Sequence, residues 1–323
     1  MNMSLSTHDS SDGQTDLDIV KIAKAIGDHL RATVLKVLAN DSFGVLELGK
    51  IFEVAQPALS HHLRILADAG LVSRRKEGTH IFYQRAPVCE GSALHAIFRQ
   101  IDALPEDASL NQRIEAVHQL RQEKTRVFFR SHAAALTQQR EQICDVSVYR
   151  DAVCAFIQAL APAQRRKVLE VGPGNGDFLF ELSRLFTHVI AVDQSAEILD
   201  AIRIKTTELD NVELRHQEYL SLSDRHRFDC LVAAMVVHHM PSPGRFFQHA
   251  AKLLRKSARL IIVELTAHDQ EWVREHCGDV WLGFEENQIR RWADKAGFHV
   301  SQRQYLAQRN GFNVQVICAD KFS

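Results

Sequence analysis

The sequence predicts two folded units, an α+β winged helix-turn-helix domain followed by a doubly wound α/β domain. The first is indicated by two short helical patterns, Val45–Phe52 and Gln56–Ala69, which only three residues separate, as in a helix-turn-helix. The alternating stretch after them, Leu71–Arg85, is typical of a two-stranded hairpin. The second is indicated by an apolar strand, Val168–Val171, which runs directly into a loop with glycine at every second position.

The composition is that of an ordinary globular protein and indicates a cytoplasmic one. The chain has 323 residues, enough for two domains, of which 46% are apolar and 24% charged, and its net charge is −1. It contains no run of about eighteen apolar residues, so we expect no membrane span. The six cysteines lack C-x-x-C spacing, as expected of buried thiols in a reducing cytoplasm. Residues 1–15 are polar and predict a disordered tail.

The N-terminal domain is expected at residues 16–104. Helical periodicity over Leu17–Ile26 and His29–Ala39 predicts two helices ahead of the helix-turn-helix. Pro57 suits the first turn of the second helix of the motif, where a missing N–H costs little. A last helix over residues 90–104 would pack with the first helix at a dimer interface.

Three segments of this domain resemble the ArsR/SmtB family of bacterial repressors. They are Ala25-Ile-Gly-Asp-His-Leu-Arg31, Gln56-Pro-Ala-Leu-Ser-His-His-Leu-Arg-Ile-Leu-Ala-Asp-Ala-Gly-Leu-Val72 and Arg74-Arg-Lys-Glu-Gly-Thr-His-Ile-Phe-Tyr83. The resemblance implies a homodimer that binds a palindromic operator in double-stranded DNA. It also implies that the helix over residues 56–69 is the recognition helix.

The recognition helix and the hairpin supply the candidate DNA contacts. Polar side chains near the start of the helix are candidates for base edges: Gln56, Ser60 and His61. Basic side chains of the helix and the hairpin are candidates for phosphate contacts: Arg64, Arg74, Arg75 and Lys76. A winged helix used only for protein contacts is the alternative, and the basic hairpin favours DNA.

The sequence predicts no metal site. Many members of the resembled family sense thiophilic metals through a Cys-x-Cys pair ahead of the recognition helix, where this chain has Val45-Leu-Glu-Leu-Gly-Lys-Ile51. Cys89 and His95 fall on different helix faces, and the neighbours His61 and His62 point about 100° apart, so both are poor ligand pairs. We therefore expect no sensing of arsenic or cadmium by this domain.

Residues 105–144 predict a helical connector between the two domains. The segment Leu104-Pro-Glu-Asp-Ala108 breaks the pattern, and one or two long polar helices are expected from there to Ile143. A thin apolar stripe runs along them at helical spacing, formed by Leu120, Val127, Phe128 and Leu136. Such a stripe needs a partner surface, so we expect a connector that is packed against its neighbours.

The second domain, expected at residues 145–323, is organised around Gly172, Gly174 and Gly176. Glycine at these positions permits a tight turn and removes side chains where a ligand lies against the main chain. The helix that follows would aim its N-terminal N–H groups at that ligand. The next strand ends at Asp193, about twenty residues further on, where a doubly wound sheet places a carboxylate on ribose hydroxyls.

This G-x-G-x-G spacing, with Glu170 in the strand before it, resembles motif I of the Rossmann-like class I S-adenosylmethionine-dependent methyltransferases. It differs from the G-x-G-x-x-G of dinucleotide-binding proteins, so an NAD site is the less favoured alternative. The resemblance implies that S-adenosylmethionine or S-adenosylhomocysteine binds at Glu170, the three glycines and Asp193. It also places Gln217 and Glu218 near the adenine amino group, where methyltransferases commonly have an Asp.

The nearly all-apolar strand that begins at Arg227 ends in His238 and His239, which are expected at the carboxyl edge of the sheet. They resemble the His-His pair that follows this strand in small-molecule methyltransferases. Either is a candidate general base, and a buried or cofactor-facing histidine without a role in proton transfer is the alternative. Methyl transfer needs little covalent help, so the sequence leaves open whether the protein is an enzyme.

A block over residues 268–284 resembles the lid of bacterial proteins that fuse an ArsR-type module to a methyltransferase domain. With it, the resemblance spans nearly the entire chain. We favour a transcriptional regulator with the adenosyl ligand as effector, because the DNA-binding module is complete and its own metal site is missing. The resemblance suggests methionine-cycle or methylation genes as targets. An active small-molecule methyltransferase with an attached DNA-binding module is the alternative.

Overall fold

The computed structural model describes residues 19–89 and 91–322, and within the connector helix the side chains of residues 129–142 fall outside that description. The predicted tail at residues 1–15 and the first residues of the predicted 17–26 helix also lie outside the described residues. Over the described part of the chain, no helix combines the length and apolar character that crossing a membrane requires.

The N-terminal domain has the predicted winged helix-turn-helix order. Its helices are α1 (Ile19–Ile26), α2 (His29–Val37), α3 (Val45–Phe52), α4 (Gln56–Asp68) and α5 (Ala93–Asp102). Its strands are β1 (Phe43–Gly44), β2 (Val72–Glu77) and β3 (His80–Arg85), in the antiparallel order β1-β3-β2. Proline lies in the first turn of α4, as predicted. One face of α4, formed by Leu59, Leu63 and Leu66, is buried in the core of this domain.

The hairpin formed by β2 and β3, called the wing below, is shared between the two domains. Arg74 and Lys76 of β2 are exposed, whereas Arg75 and Glu77 turn toward the second domain. This division follows from strand geometry, which sends successive side chains to opposite faces. Phe82 of β3 is buried in the core of the second domain. The wing therefore has one solvent face and one face that is part of a domain interface.

The connector is a single helix, α6 (Ala108–Ile143), 36 residues long. The predicted apolar stripe is not buried as a whole, since Leu120 and Val127 are each 52% exposed, whereas Phe128 is partly buried and the side chain of Leu136 lies outside the description. The buried residues of α6 whose side chains are described are the apolar Leu110, Val117 and Ile143 and the polar His118, Arg121 and Thr125. Polar side chains can be buried when they are hydrogen-bonded, and apolar periodicity does not reveal such residues. The predicted boundary at 104/105 falls between α5 and α6, the one at 144/145 falls directly after α6, and both remain predictions.

The second domain is built on a mostly parallel sheet with helices on both faces. Its strands are β4 (Lys167–Val171), β5 (His188–Asp193), β6 (Val212–His216), β7 (Phe228–Ala234), β8 (Leu254–Leu265), β9 (Phe298–Ala307) and β10 (Asn313–Lys321). Among the described residues they lie in the order β6-β5-β4-β7-β8-β10-β9, and β10 runs in the opposite direction to the other six strands. The order reverses between β4 and β7, and this confirms the doubly wound prediction and places a ligand crevice there.

The helices of the second domain cover the two faces of the sheet. They are α7 (Val146–Gln158), α8 (Asp177–Leu185), α9 (Ala196–Lys205), α10 (Pro243–Leu253), α11 (Trp272–Cys277) and α12 (Glu286–Lys295). One apolar core contains buried residues of α7 and α8, and the other contains those of α10 and α12.

The guanidinium group of Arg121 joins all three parts of the chain. It donates to both carboxylate oxygens of Glu47 in α3, at 2.8 and 2.6 Å, and to the carbonyl oxygen of Pro241 in the second domain, at 2.8 Å. It also lies 5.0 and 4.8 Å from the ring centroids of Phe43 and Trp281. Burial alone would raise the pKa of Glu47, but the contacts with Arg121 hold that pKa below its usual value.

A second buried carboxylate, that of Glu77, ties the wing to the second domain. Glu77 is only 1% exposed. It accepts hydrogen bonds from the side chain of Arg274 and from the backbone N–H of Leu282, the latter at 3.3 Å, and it is also paired with Arg75. Burial lowers the pKa of Arg75 to about 10, so this guanidinium stays charged at neutral pH.

We predict that Glu77→Ala lowers the free energy of unfolding by about 3–5 kcal/mol, because it leaves buried guanidinium groups without their carboxylate. Urea unfolding followed by circular dichroism measures this loss. Glu275→Ala, an exposed glutamate of α11, is the matched control and should change the free energy by less than about 0.5 kcal/mol. Equal losses in the two variants would contradict the assignment of Glu77 to the interface.

Candidate functional site

The loop after β4 makes the tight turn that its glycines predicted. Gly172, Gly174 and Gly176 have φ angles of +67°, +59° and +81°, a region that favours glycine. A Cβ atom on Gly172 would come within 2.5 Å of the side chain of Val236, whereas a Cβ on Gly174 would point into open space. The loop leads directly into the first turn of α8, which begins at Asp177. The main chain at Gly174 is therefore accessible to a ligand.

Glu170, in the strand before this loop, is almost completely buried. Burial raises the pKa of this carboxyl group to about 8, so it is mostly protonated at neutral pH. Its Oε2 atom finds no hydrogen-bond partner among the described residues. Glu170 does not line the cavity at the carboxyl ends of the strands, and its contact with a cofactor stays a prediction.

A cavity of about 740 Å³ opens at the carboxyl ends of β4, β5 and β7, the crevice expected from the strand order. Four of the seven predicted cofactor-binding residues line it, namely Gly172, Asp193, Gln217 and Glu218. The Oδ1 atom of Asp193 accepts a hydrogen bond of 2.8 Å from the backbone N–H of Ser195, which holds the carboxylate at the cavity wall. Glu170, Gly174 and Gly176 lie outside the lining.

Gln217 and Glu218, at the adenine end implied by the resemblance, have different partners. The amide nitrogen of Gln217 donates to the carbonyl oxygen and the hydroxyl group of Ser221, both at 3.1 Å. The amide oxygen of Gln217 is therefore the atom suited to accept from an amino group. The Oε1 atom of Glu218 accepts a hydrogen bond of 2.8 Å from Gln122 of α6.

The connector helix forms one wall of this cavity, which sequence reasoning did not anticipate. His118, Gln122 and Thr125 of α6 are among the lining residues. The Nε2 atom of His118 lies 3.3 Å from the carboxylate of Asp41 in the N-terminal domain. Burial alone would raise the pKa of Asp41, but its contacts with His118 and its neighbours hold that pKa below its usual value. No local sequence signal marks these residues, because their partners are distant in the chain.

The two predicted catalytic histidines have different surroundings. His239 lines the large cavity, whereas His238 is absent from its wall. The Nδ1 atom of His238 lies 2.6 Å from the carboxylate of Glu264. Both imidazoles also lie near Asp279, which lies between Gly278 and Val280 in the sequence and was not among the predicted site residues. The ligand atoms of His238, His239 and Asp279 lie within 4.8 Å of one another, although no metal site was predicted.

The predicted DNA-contacting residues lie on two neighbouring elements, α4 and the wing. Gln56, His61 and Arg64 are exposed on α4, and Ser60 is partly exposed. These positions, together with the exposed Arg74 and Lys76 of the wing, form a polar and basic surface.

The structure departs from the prediction at Arg75. Its guanidinium group donates to the carbonyl oxygen of Gly283 and to Gln288 of the second domain, at 3.1 and 2.7 Å. Its side chain is only 14% exposed. Strand alternation places it on the opposite face of β2 from Arg74 and Lys76, so we assign it to the domain interface and not to a phosphate contact.

Comparison with known proteins gives separate matches for the two halves of the chain. The model of the "Bacterial regulatory protein, arsR family" matches residues 28–74, and the model of the "Methyltransferase domain" matches residues 146–315. An uncharacterized HTH-type transcriptional regulator of Methanocaldococcus jannaschii is 48% identical over 64 residues, which are 20% of this chain and 72% of that protein.

The relatives of the second half are more distant. The ubiquinone biosynthesis O-methyltransferase of Alkalilimnicola ehrlichii is 26% identical over 129 residues, which are 39% of this chain and 52% of that enzyme. The chain thus spans about half the length of that relative. A chain in the "Complex between the Haloferax volcanii Trm112 methyltransferase activator and the putative methyltransferase" superposes on this chain with a TM-score of 0.51 at 15% identity. The superposition covers 60% of this chain and 98% of that one. This likeness confirms the class I methyltransferase fold. The chain belongs to the family that carries this methyltransferase domain, fused behind a DNA-binding helix-turn-helix of the bacterial arsR regulatory family.

Proposed function

We propose that this DNA-binding regulator is a homodimer whose methyltransferase domain binds S-adenosylmethionine or S-adenosylhomocysteine as an effector. The observation that carries the proposal is the wall of the large cavity. One helix, α6, lines the cavity and also holds the helix-turn-helix domain through Arg121 and His118. The targets implied by the resemblance, methionine-cycle or methylation genes, belong to the same proposal.

The groups around the cavity suit an adenosyl ligand. The carboxylate of Asp193 would accept hydrogen bonds from ribose hydroxyl groups, and the amide oxygen of Gln217 would accept from an adenine amino group. The open space at Gly174 would let the rest of the ligand lie against the main chain. S-Adenosylmethionine, when bound to an enzyme of this fold, would supply the methyl group of its sulfonium and leave S-adenosylhomocysteine.

Few contacts separate the cavity from the DNA-binding domain, so ligand binding could affect DNA binding directly. A ligand that contacts Gln122 or His118 acts on the helix whose Arg121 holds Glu47 of α3. A ligand changes DNA affinity only if it binds the DNA-competent and DNA-incompetent shapes with different affinity. The wing adds a second route, because its buried face contacts the segment around Leu282.

Catalysis is the second candidate function, and His239 is the residue that favours it. Its imidazole lines the same cavity as Asp193, where an acceptor molecule beside the adenosyl ligand would lie. Holding the two reactants in line would supply much of the rate, with His239 as the candidate base. The experiments below separate the two functions.

The first prediction concerns the ligand. Asp193→Asn keeps the acceptor for the N–H of Ser195 but removes the charge that would bind the ribose. We expect it to weaken S-adenosylhomocysteine binding by about 10–150-fold, the equivalent of roughly 1.5–3 kcal/mol for a hydrogen bond to a charged group. Isothermal titration calorimetry measures the change, with NAD as the negative ligand. No detectable binding of either adenosyl compound to the unmodified protein would refute the cofactor assignment.

The second prediction concerns the DNA surface. Arg64→Ala should weaken binding to all sequences and reduce the dependence of affinity on salt, because it removes a phosphate contact. Gln56→Ala should instead relax the preference at particular bases. Selection from a randomised palindromic operator, followed by affinity measurement at two salt concentrations, distinguishes the effects. Arg75→Ala is the internal comparison, because its buried position predicts an unchanged salt dependence. An unaltered selected site for Gln56→Ala would show that this residue reads no base.

The third prediction joins the two sites. Saturating S-adenosylhomocysteine or S-adenosylmethionine should change operator affinity by about 5–150-fold, the usual size of such coupling. Gly174→Val places a β-branched side chain at a φ of +59° where the ligand would lie, so it should abolish this effect and leave ligand-free operator affinity unchanged. An unchanged melting temperature without ligand controls for unfolding. Operator affinity that is identical with and without ligand, together with methyl transfer to an acceptor, would replace the effector assignment by the enzymatic one.

A further inference from the structure

Three buried side chains from two distant segments converge beside the large cavity. His238 and His239 lie in the turn after β7, and Asp279 lies in the segment after α11. Two backbone hydrogen bonds hold these segments together, from the N–H groups of Val280 and Trp281 to the carbonyl oxygen of His238, at 3.0 and 3.1 Å. The cluster is therefore built by tertiary structure and is not a loose surface grouping.

The imidazole of His238 is oriented by a second carboxylate. Its Nδ1 atom lies 2.6 Å from the Oε2 atom of Glu264, a fully buried residue. The Oε1 atom of Glu264 accepts from the backbone N–H of Val237 at 2.7 Å, so the carboxylate itself is held in place. A carboxylate on Nδ1 fixes the tautomer of the ring and directs the lone pair of Nε2 toward Asp279. Metal-binding histidines have this arrangement of an outer carboxylate.

The distances within the cluster suit two ligands of one ion better than they suit hydrogen bonds. The Oδ1 atom of Asp279 lies 3.7 Å from Nε2 of His238 and 3.7 Å from Nδ1 of His239. Both separations exceed a hydrogen bond, but they match two atoms that each lie about 2.0–2.2 Å from a shared metal. His239 Nδ1 also lies 3.3 Å from the carbonyl oxygen of Gly278, a contact at the edge of hydrogen-bond distance that an ion would replace.

The space next to the cluster accommodates one further ligand. A cavity of about 30 Å³ is lined by all three side chains together with Cys144 and apolar residues. That volume is about the share of one water molecule in the liquid. Three protein ligands with one open position form the coordination of zinc ions that bind water.

We propose that His238, His239 and Asp279 bind a divalent transition-metal ion of the zinc type, with Glu264 as the outer carboxylate of His238. Two imidazole nitrogens and one carboxylate oxygen suit such an ion better than calcium or magnesium. The ion would pin the segment Gly278–Trp281 to the turn after β7. This segment is continuous with Leu282, which contacts Glu77 of the wing, so the bound ion would rigidify the domain interface.

The test uses the full-length protein after chelator treatment, titrated with Zn²⁺ by calorimetry and with Co²⁺ by visible absorption. We expect one high-affinity equivalent and the intense d–d bands of a four-coordinate cobalt ion. Asp279→Asn should reduce Zn²⁺ affinity by at least about 100-fold, and Glu264→Gln by about 10–100-fold, the usual effect of an outer carboxylate.

The control for charge is Asp269→Asn, which makes the same change at an exposed position ten residues earlier and should leave Zn²⁺ affinity unchanged. The melting temperature of the metal-free variants controls for folding, and His239→Gln carries the same expectation as Asp279→Asn if the latter is unstable. Equal Zn²⁺ affinity in the unmodified protein, Asp279→Asn and His239→Gln would overturn the proposal, since the histidines elsewhere on the surface would then explain the binding.

Discussion

The relative placement of the three parts of the chain depends on the buried guanidinium group of Arg121. A buried charge is tolerated only when it is paired and its donors are used. Glu47 of the helix-turn-helix supplies the charge and two acceptors, and the carbonyl oxygens of Ser42 and Pro241 accept two further hydrogen bonds. Because these partners belong to different domains, separating the domains would leave a buried cation without compensation. The cavity wall formed by α6 is therefore tied to the position of the DNA-binding domain.

The wing is subject to a second constraint, because one strand serves two surfaces. The solvent face of β2 carries Arg74 and Lys76, and its other face carries Arg75 and Glu77. On the buried face, Glu77 is paired with Arg75 and with Arg274 of the second domain, so the charges there are largely neutralised. The exposed face is positively charged, and a positive surface attracts polyanions. A change in the packing of the second domain at Phe82 would therefore alter the position of the exposed basic side chains.

The order and type of most elements could be predicted because their signals are local. The spacing of apolar residues and the position of Pro57 define α4, whose observed bounds, Gln56–Asp68, differ from the prediction by one residue. The glycine loop was predictable for the same reason, since its positive φ angles are a property of single residues. The helices α9 and α11 lay outside the predictions, and α9 has only two buried residues, Leu199 and Ile202, to mark its face.

The sequence by itself determined the two-domain order, the exposed polar side of α4 and the presence of Gly172 and Asp193 at the large cavity, because each depends on a pattern within one short stretch. Only the tertiary structure decided that Arg75 faces the interface, that His239 but not His238 lines the cavity, and that three polar side chains of α6 are buried. It also brought Asp279 to the two histidines. Alternation and periodicity show that an element has two faces, but the partner of each face comes from residues far along the chain, and no local pattern encodes that contact.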